Sequence, residues 1–538
     1  MGNALSLIRL ALTEFLDNLN TFQTLQARIQ RSPGLPLPNP SRSFWSYPPS
    51  PIATHISQLP THADFVIIGS GITGTSVARK LLNSAHAEGH DIKVLMLEAR
   101  DACSGATGRN GGHISPPLYH DYSSLKRDHG QAVAQKMMKF RLAHLEELRS
   151  IAEQEDILAE SQWREVESVD VYYDSDMFQK AKTKVQSYKA DFPLDAEHHQ
   201  VHEGKEAIEK FYLASDTIGC ISSSAGAIHP YQFVTGILAK LLSRYPDNFS
   251  LCTNTPCTSI SPPTLFTPYY TLSTPRGIIT TPHIIHATNG WASTLLEKLR
   301  AKIIPFRGNM SAQRPGQSLI TPSSDPSSHR SFVFYTRPIG FDYLTQLPTG
   351  EHELMLGGGF AQDGDEGYEA MGNTDDTTYS KRIGAHLSGV LPRYFGEDNW
   401  GKESVPLEGG DGEWADGRVK GLWSGILGIS VDLIPWVGRL PRVVSGRSEP
   451  PLSSVVTSEK EGGGERVHVG AAPGEWIAAG YSGEGMVHAW LSGQALAEMV
   501  LGREVEGRLG QWFPDIMRVT EKRWKKAKAE NLLDALED

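Results

Sequence analysis

The chain has 538 residues, of which 39% are hydrophobic, and its formal net charge at pH 7 is −11. A chain of this length can bury a large core and is expected to form more than one domain. The acidic balance argues against nucleic acid as a partner. No apolar run approaches the roughly 18 residues of a membrane-spanning helix. No secretory signal is visible either, so the sequence predicts a soluble, cytoplasmic protein.

The four cysteines lack the paired spacing of a zinc site or a disulfide framework, which indicates a reducing compartment. We therefore expect no bound metal. They are Cys103, Cys220, Cys252 and Cys257.

Residues 1–60 are predicted to form an N-terminal helix and a Pro-rich arm. Apolar residues recur at helical spacing over residues 1–30, and residues 31–60 are typical of an extended arm lying over the main domain. The first six residues also fit the pattern for N-myristoylation of Gly2, with a chance match on an amphipathic helix as the alternative. We expect membrane contact only if Gly2 is acylated, and a basic cluster in the C-terminal segment could then be the second anchor.

A strand, a glycine-rich turn, a helix and a second strand follow in order. Phe65–Ile68 and Ile92–Leu97 are predicted buried parallel strands, and Thr75–Ala87 is the predicted helix between them. The spacing of Gly69, Gly71 and Gly74 suits the tight turn that brings backbone N–H groups to a pyrophosphate at a helix N-terminus. Glu98, at the tip of the second strand, would accept hydrogen bonds from the ribose hydroxyls. The predicted dinucleotide contacts are Gly69, Ser70, Gly71, Ile72, Thr73, Gly74, Glu98, Ala99 and Arg100.

The glycine motif alone does not separate NAD from FAD, and a purely structural turn is the alternative. The next segment, SGATGRNGGH at residues 104–113, has small residues that let the chain run close to a ligand. It resembles the flavin-contacting run of the FAD-dependent D-amino-acid oxidase superfamily. The resemblance is to the glycine and sarcosine oxidase branch, and most closely to the γ-glutamylputrescine oxidoreductases.

Later segments resemble the same family in the same order, from about Pro60 to Gly502. They are Ala225–Pro230, Ile284–Trp291 (IIHATNGW), Pro305–Met310 (PFRGNM), Trp423–Gly438 and Gly480–Ala489 (GYSGEGMVHA). The resemblance implies bound FAD. The further FAD contacts that it implies are Ser104, Ala106, Thr107, Arg109, Asn110, Gly111, Gly112, Cys257, Thr288, Asn289, Gly290, Trp291, Gly425, Gly483, Glu484, Gly485 and Met486.

The resemblance implies that FAD is held non-covalently. The cysteine that carries the flavin in sarcosine oxidases would fall near Gly425 and Ile426, and the histidine used by dimethylglycine-dehydrogenase relatives would fall near Arg109. Neither residue type is present at those places, although Cys103 is close in sequence.

A helix predicted over Val487–Val500 follows the turn Gly483–Met486. Its N-terminal N–H groups and dipole would face the N1–C2=O edge of the flavin, which becomes anionic on reduction. An ordinary glycine-rich turn is the alternative. A carboxylate pointing inward there would repel the reduced flavin, so we expect the Glu484 side chain to point away.

Three residues are candidates for catalysis: Arg109, His113 and Tyr343. The resemblance implies that Arg109 holds a substrate carboxylate or tunes the flavin, which suits its fork of donors. His113 is a candidate general base, with a structural histidine as the alternative. Tyr343 could frame an aromatic pocket for an amine. Met355 occupies the position of the lysine that activates oxygen in sarcosine oxidases, so oxidase activity is in doubt and a dehydrogenase remains open.

The predicted fold class is α/β plus antiparallel β, in which a Rossmann-like FAD-binding domain is interleaved with a β-rich substrate-binding domain. The FAD-binding domain takes residues 61–160, 222–305 and 408–510. The substrate domain takes residues 161–221 and 306–407. Residues 511–538 form a charged C-terminal helix and tail.

These observations predict an FAD-dependent oxidoreductase that oxidises a C–N bond of a small amine or amino acid and passes electrons to O₂ or another acceptor. A flavoprotein of the same fold acting on a C–O bond or a biosynthetic intermediate is the first alternative. A non-catalytic flavin-binding module is the second.

Overall fold

The structure is a computed structural model that describes residues 23–194, 197–319, 330–337, 340–406, 413–459, 466–506 and 509–532. Residues 23–29 are helical and lie in the predicted N-terminal amphipathic helix. Gly2, and with it the predicted myristoylation site, lies outside the described residues. None of the helices in the described part of the chain is long and apolar enough to cross a membrane.

The strands and helices are numbered here in chain order. The strands are β1 (Phe65–Ile68), β2 (Val94–Leu97), β3 (His113–Ile114), β4 (Arg164–Tyr172), β5 (Gln200–Glu203), β6 (Gly219–Ala227), β7 (Phe249–Cys252), β8 (Ser259–Ser261), β9 (Tyr270–Thr274), β10 (Gly277–Thr281), β11 (His283–His286), β12 (Ile303–Gln313), β13 (Arg330–Tyr335), β14 (Asp342–Gln346), β15 (Leu354–Gly357), β16 (Val419–Ser430), β17 (Trp436–Arg439), β18 (Thr457–Glu459), β19 (Arg466–His468) and β20 (Gly474–Ala479). The helices of two turns or more are α1 (Ile72–Ala87), α2 (Leu118–His129), α3 (Gln131–Gln154), α4 (Ser175–Asp191), α5 (Gly204–Phe211), α6 (Pro230–Arg244), α7 (Lys381–Phe395) and α8 (Ala489–Val500). Shorter helices span Leu158–Ser161, Ala292–Leu295, Glu397–Trp400, Arg442–Ser445, Leu509–Trp512 and Glu521–Lys526.

A six-stranded sheet forms the layer that is predicted to bind the dinucleotide, called here the dinucleotide-binding layer. Its strand order is β17–β20–β11–β1–β2–β7, and every pair is parallel except β17 with β20. The central strands are continuous apolar runs, FVII in β1 and VLML in β2, and every residue in them is buried. Such runs suit a parallel sheet covered on both faces. The predicted strand at Phe65–Ile68 and the predicted helix after it are confirmed, although the helix begins at Ile72 and the second strand at Val94.

A larger mixed sheet forms the second layer and covers the first, and it is called here the roof sheet. Its strand order is β16–β12–β15–β14–β13–β4–β6–β3, with β5 also paired to β6. Adjacent strands are antiparallel except β4 and β13. On one face, Phe332, Phe334, Leu344 and Leu356 pack with apolar residues of α7. The opposite face contacts the dinucleotide-binding layer. The predicted fold class is therefore confirmed.

Two segments differ from their predicted places. The alternating sequence at Cys257–Ile260 predicts a strand of the same sheet as β11. It forms as β8 in a separate three-stranded antiparallel sheet with β9 and β10, not in the six-stranded sheet. Strand β16 belongs to the large mixed sheet, although the predicted boundary at residue 408 assigns it to the FAD-binding domain. Its register with β12, from Ile303–Ser430 to Met310–Trp423, holds it there, and a pairing partner more than 100 residues away leaves no local sequence signal.

Candidate active site

The turn after β1 has the geometry that only glycine permits. Gly69 has φ of +111°, and a Cβ there would lie 2.5 Å from the carbonyl oxygen of Ala287. A Cβ at Gly74 would lie 2.0 Å from the carbonyl oxygen of Gly69. The glycines thus let α1 begin close against the strand ends, where its N-terminal N–H groups can face an anion.

Glu98 lies at the tip of β2, as predicted, and its carboxylate is held by three donors. It accepts from the backbone N–H of Ser70 (3.1 Å), from the Ser70 hydroxyl (2.7 Å) and from the backbone N–H of Arg100 (3.0 Å). The Ser70 hydroxyl also accepts from the N–H of Cys103 (2.9 Å). Ser70 was predicted as a cofactor contact, and the structure gives it the task of fixing the Glu98 carboxylate.

A long groove runs from Glu98 past the glycine turn to the start of α8. It brings together most of the predicted contacts, from β1, β2, residues 104–113 and the turn after β20. The predicted residues that line it are Gly69, Gly71, Ile72, Thr73, Glu98, Ala99, Arg100, Ala106, Thr107, Asn110, Cys257, Thr288, Asn289, Trp291, Gly483, Gly485 and Met486. The other predicted contacts, which are not among its lining residues, are Ser70, Gly74, Ser104, Arg109, Gly111, Gly112, Gly290, Gly425 and Glu484.

The groove fits a dinucleotide. Its outer end presents a carboxylate for ribose hydroxyls and its middle presents a helix N-terminus for phosphates. The buried hydroxyl of Thr288, which lines the groove, has no hydrogen-bond partner among the described residues. Buried polar atoms are normally paired, so this hydroxyl indicates a ligand contact.

The N-terminal arm supplies part of the groove wall, which the sequence motifs did not predict. Gly34, Leu35 and Pro36 line the groove. The Gly34 carbonyl accepts from the Thr294 hydroxyl (2.6 Å). Arg100 donates to the Leu37 carbonyl (3.2 Å) and forms a buried ion pair with Asp376 (2.9 Å). The Gly-, Asp- and Glu-rich composition of residues 361–377 predicts an exposed loop, but Asp376 within it is buried and pairs with Arg100.

Arg109 is directed toward the arm. Its guanidinium donates to the carbonyl and hydroxyl of Ser41 and to the carbonyl of Ser424. Burial lowers the pKa of Arg109 to about 10, and Asp376 partly offsets the effect. Because these protein acceptors engage the guanidinium, its contacts do not support the predicted role in holding a substrate carboxylate. The N-terminal arm also hydrogen-bonds the backbone of residues 104–113. Ser43 donates to the Gly108 carbonyl (2.7 Å), and Trp45 donates to the Asn110 carbonyl.

His113 and Tyr343 meet on the roof side of the loop at residues 104–113. Their rings are 5.5 Å apart at 84°, and the Gly111 carbonyl accepts from the Thr345 hydroxyl of β14 (2.7 Å). Nε2 of His113 is buried without a hydrogen-bond partner among the described residues. Burial, reinforced by Arg164, lowers the pKa of His113 to about 3. The imidazole is therefore neutral at pH 7 and can hydrogen-bond a ligand, and its role as a general base remains a prediction.

The turn Gly483–Met486 leads into a short 3-10 turn at Gly485–Val487, and α8 begins at Ala489 rather than at Val487. The Glu484 carboxylate pairs with Arg141 of α3 (3.0 Å), which also pairs with Asp121 (2.8 Å). Burial raises the pKa of Glu484 to about 7, and Arg141 opposes that shift. The expected direction of the Glu484 side chain relative to the flavin remains a prediction.

Comparison with known proteins identifies the family. Residues 64–499 match the DAO family, described as FAD dependent oxidoreductase. The chain belongs to the DAO family. It is an enzyme, an FAD-dependent oxidoreductase, and the groove described above is lined by most of the residues predicted to contact FAD. The arm at Gly34–Pro36 lies outside the matched residues.

Solved structures of other proteins share the fold. L-proline dehydrogenase from P. horikoshii has 17% sequence identity and a TM-score of 0.58, covering 87% of this chain and 100% of that chain. Glycine oxidase from Geobacillus kaustophilus has 16% identity and a TM-score of 0.55, covering 84% and 98%. Iminodiacetate oxidase from Chelativorans sp. BNC1 has 16% identity and a TM-score of 0.54, covering 83% and 98%. No curated protein sequence matches the chain.

Proposed function

We propose that this FAD-dependent oxidoreductase oxidises a C–N bond of a small amine or amino acid. The observation that carries the proposal is the contact between two partly exposed rings, that of His113 at the end of the loop at residues 104–113 and that of Tyr343 on the mixed sheet. A substrate placed there lies between the roof sheet and the predicted flavin contacts. The names of the three proteins of similar fold support the same class of substrate, since each refers to an amino acid or to iminodiacetate.

The side chains at the site bind and orient the amine. The unpaired Nε2 of His113 hydrogen-bonds the reacting nitrogen, and the Tyr343 ring covers the adjacent carbon. Because His113 is neutral, it adds no positive charge that would oppose the electron deficiency developing at that carbon. Bound FAD supplies the two-electron acceptor for the hydride that leaves the carbon. The resulting imine takes up water and breaks into a carbonyl compound and an amine or ammonia.

The FAD is proposed to be non-covalent. Cys103, the cysteine nearest to the loop in sequence, is 1% exposed, and burial raises the pKa of its thiol well above the usual value. A buried protonated thiol is a weak nucleophile. At Gly425, a Cβ would lie 3.0 Å from the Cβ of Arg109, so the place where sarcosine oxidases carry their cysteine is filled by the loop.

Within the family, we propose the glycine and sarcosine oxidase branch, with the γ-glutamylputrescine oxidoreductases as nearest relatives. The support is the run at residues 104–113 together with the five later segments in the same order. Met355 lies on the face of β15 that meets Ala312 and Thr345 and is fully buried. With no cation at this position, we propose that the reduced enzyme reacts slowly with O₂ and uses another acceptor.

Anaerobic titration of the purified holoenzyme tests the proposed function. The flavin absorbance is followed while sarcosine, glycine, proline, primary amines and diamines are added one at a time, with alcohols of matched length as controls. Bleaching by members of the amine and amino-acid set, and by none of the alcohols, is the expected result. Bleaching by the alcohols alone would replace the proposal with oxidation of a C–O bond, and bleaching by neither set would refute it.

A further inference from the structure

One face of the roof sheet is incompletely covered. In β13 and β14, the residues directed toward α7, such as Phe332 and Phe334, are buried. The residues on the opposite face, Val333, Tyr335 and Tyr343, remain partly exposed. This opposite face is the one that touches the loop at residues 104–113, so the uncovered area is continuous with the site of His113 and Tyr343.

Asp170 lies on the same face and in the same row as Tyr343. Tyr343 of β14 is paired with Val333 of β13, and Val333 is paired with Asp170 of β4. Two strand spacings separate the two residues, which is about 10 Å. Oδ2 of Asp170 accepts from the Tyr119 hydroxyl and lies 3.1 Å from Nε2 of His120. No hydrogen bond to Oδ1 occurs among the described residues, and the side chain is 15% exposed.

Aromatic rings connect Tyr343 to Asp170. Phe341 lies 6.3 Å from Tyr343 and 5.8 Å from Tyr335, measured between ring centroids. The rings of Tyr335 and Tyr172 are stacked at 5.0 Å. The Tyr172 hydroxyl is 2.9 Å from that of Tyr119, which bonds Asp170. Ring faces beside a carboxylate are the surroundings that favour an organic cation.

Three carboxylates and three cationic side chains lie around this path. Burial raises the pKa of Tyr335 well above its usual value, and the carboxylates of Asp170, Asp121 and Glu484 raise it further. The positive groups nearby are engaged by the protein. Arg141 pairs with Asp121 and Glu484, Arg164 donates to the carbonyls of Gln162 and Gln346, and Lys184 donates to the carbonyl of His120.

We propose that Asp170, together with Tyr172 and Tyr335, binds a second cationic group of the amine substrate. The inference rests on the proposed function and adds a substrate class: amines that carry an ammonium group at the end opposite to the oxidised nitrogen. The buried, unpaired Nε2 of His113 contacts the reacting nitrogen at one end of the path, and Asp170 contacts the second ammonium at the other end. Asp170 is thus a specificity-determining residue, and it does not take part in the chemical step.

The test compares two probes that differ in one group. Diaminobutane carries an ammonium where aminobutanol carries a hydroxyl of similar size. The rate of anaerobic flavin reduction by each probe is measured with the holoenzyme over a range of concentrations. The wild type is expected to prefer diaminobutane by about 10-fold or more in the ratio of reduction rate to Kd, the range of a charge-assisted contact.

Asp170→Asn is expected to reduce that preference to about 3-fold or less, chiefly through a weaker Kd for diaminobutane. Glu167→Gln is the matched control, because Glu167 is an exposed carboxylate on the opposite face of the same strand and its removal changes the net charge equally. This control is expected to keep the wild-type preference. If Asp170→Asn does not retain FAD, Tyr335→Leu provides the test, with Tyr335→Phe keeping the ring and the preference.

The outcomes separate this inference from the proposed function. Equal reduction by diaminobutane and aminobutanol in the wild type, or reduction by amino acids with none by diaminobutane, would overturn the role of Asp170 and leave C–N oxidation standing. An unchanged preference in Asp170→Asn would also overturn it. A flavin that no amine or amino acid reduces would remove the proposed function itself.

Discussion

At the scale of single residues, several side chains carry roles that their sequence motifs do not specify. Arg109 falls in a run that resembles a flavin-contacting segment, yet its guanidinium donates to Ser41 and Ser424. Ser424 is 315 positions away in the chain. A motif gives the location of the backbone near a ligand, whereas the direction of a long side chain depends on partners that come from distant segments.

Met355 offers the sharpest single-residue test of the electron acceptor. Met355→Lys places a cation on the roof face beside the predicted flavin position, where it would stabilise a developing superoxide anion. Stopped-flow mixing of the reduced enzyme with O₂ is expected to show reoxidation faster by roughly 10-fold or more. Met355→Gln, which is polar but uncharged, should leave the rate near that of the wild type. Equal rates in the wild type and Met355→Lys would show that this position does not control the reaction with O₂.

The raised pKa of Glu484 predicts that the free energy of unfolding depends on pH. Its pKa is raised from 4.5 to about 7 in the folded protein, so the folded state holds the proton more tightly than the unfolded state does. The contribution of this group to stability is full below about 4.5 and is lost as the pH rises toward 7.

Glu484→Gln removes that contribution. Thermal unfolding of wild type and variant from pH 4.5 to pH 8 is expected to give a Tm difference that shifts in favour of the variant as pH rises. Taking the difference between the two proteins cancels the pH-dependent contributions of the other carboxylates. Glu475 is one of these: Arg447 and His286 lower its pKa despite burial, so its contribution to stability is lost as the pH falls. A Tm difference that is constant with pH would contradict the raised pKa.

At the scale of elements, the N-terminal arm is the feature that the family match does not include. Ser43 and Trp45 bond the backbone of the loop at residues 104–113, and Gly34–Pro36 line the groove. The arm therefore forms one wall of a groove whose other walls come from the six-stranded sheet, the loop at residues 104–113 and the turn after β20. The Pro- and Ser-rich composition predicted an extended arm, but the contacts of Trp45 and Ser41 depend on tertiary structure and have no local signature.

Trp45→Phe tests whether the arm supports cofactor binding. The substitution keeps a buried ring and removes the indole donor to Asn110, a loss of about 1 kcal/mol that would raise the Kd of FAD about 5-fold. Fluorescence titration of the deflavinated protein with FAD measures this change. Phe44→Leu is the control, because Phe44 packs against Trp414, on the other side of the same turn. A change of equal size in both variants would indicate general destabilisation and contradict a specific role for Trp45.

The strands at the core were the most predictable elements. β1 forms with the predicted bounds, because a continuous apolar run leaves few alternatives. β8 was misplaced because a short alternating run near Cys257 fits any sheet, and only its partners β9 and β10 decide which one. The ends of strands were less predictable: the sequence predicts a strand over Val169–Tyr173, whereas β4 begins at Arg164 and ends at Tyr172.

At the scale of the whole molecule, two sheets from interleaved segments close over one groove. The six-stranded sheet supplies the dinucleotide end, and the mixed sheet supplies a face with Tyr343, His113 and Asp170. The glycine turn of the predicted cofactor site could be predicted from sequence, because backbone geometry demands particular residues there, as at Gly69 and Gly74. The proposed substrate site could not, because Asp170 joins Tyr343 only through strand pairings that bring distant segments together.

The central claim is that this FAD enzyme oxidises a C–N bond, and product stoichiometry tests it most directly. The holoenzyme is reduced anaerobically with the most effective acyclic amine or amino acid of the panel, and the carbonyl product and the released ammonia or amine are quantified against the flavin that bleaches. The account predicts one carbonyl and one released nitrogen compound for each flavin reduced. Flavin bleaching with no released nitrogen compound, or with an alcohol as the only reductant, would contradict it.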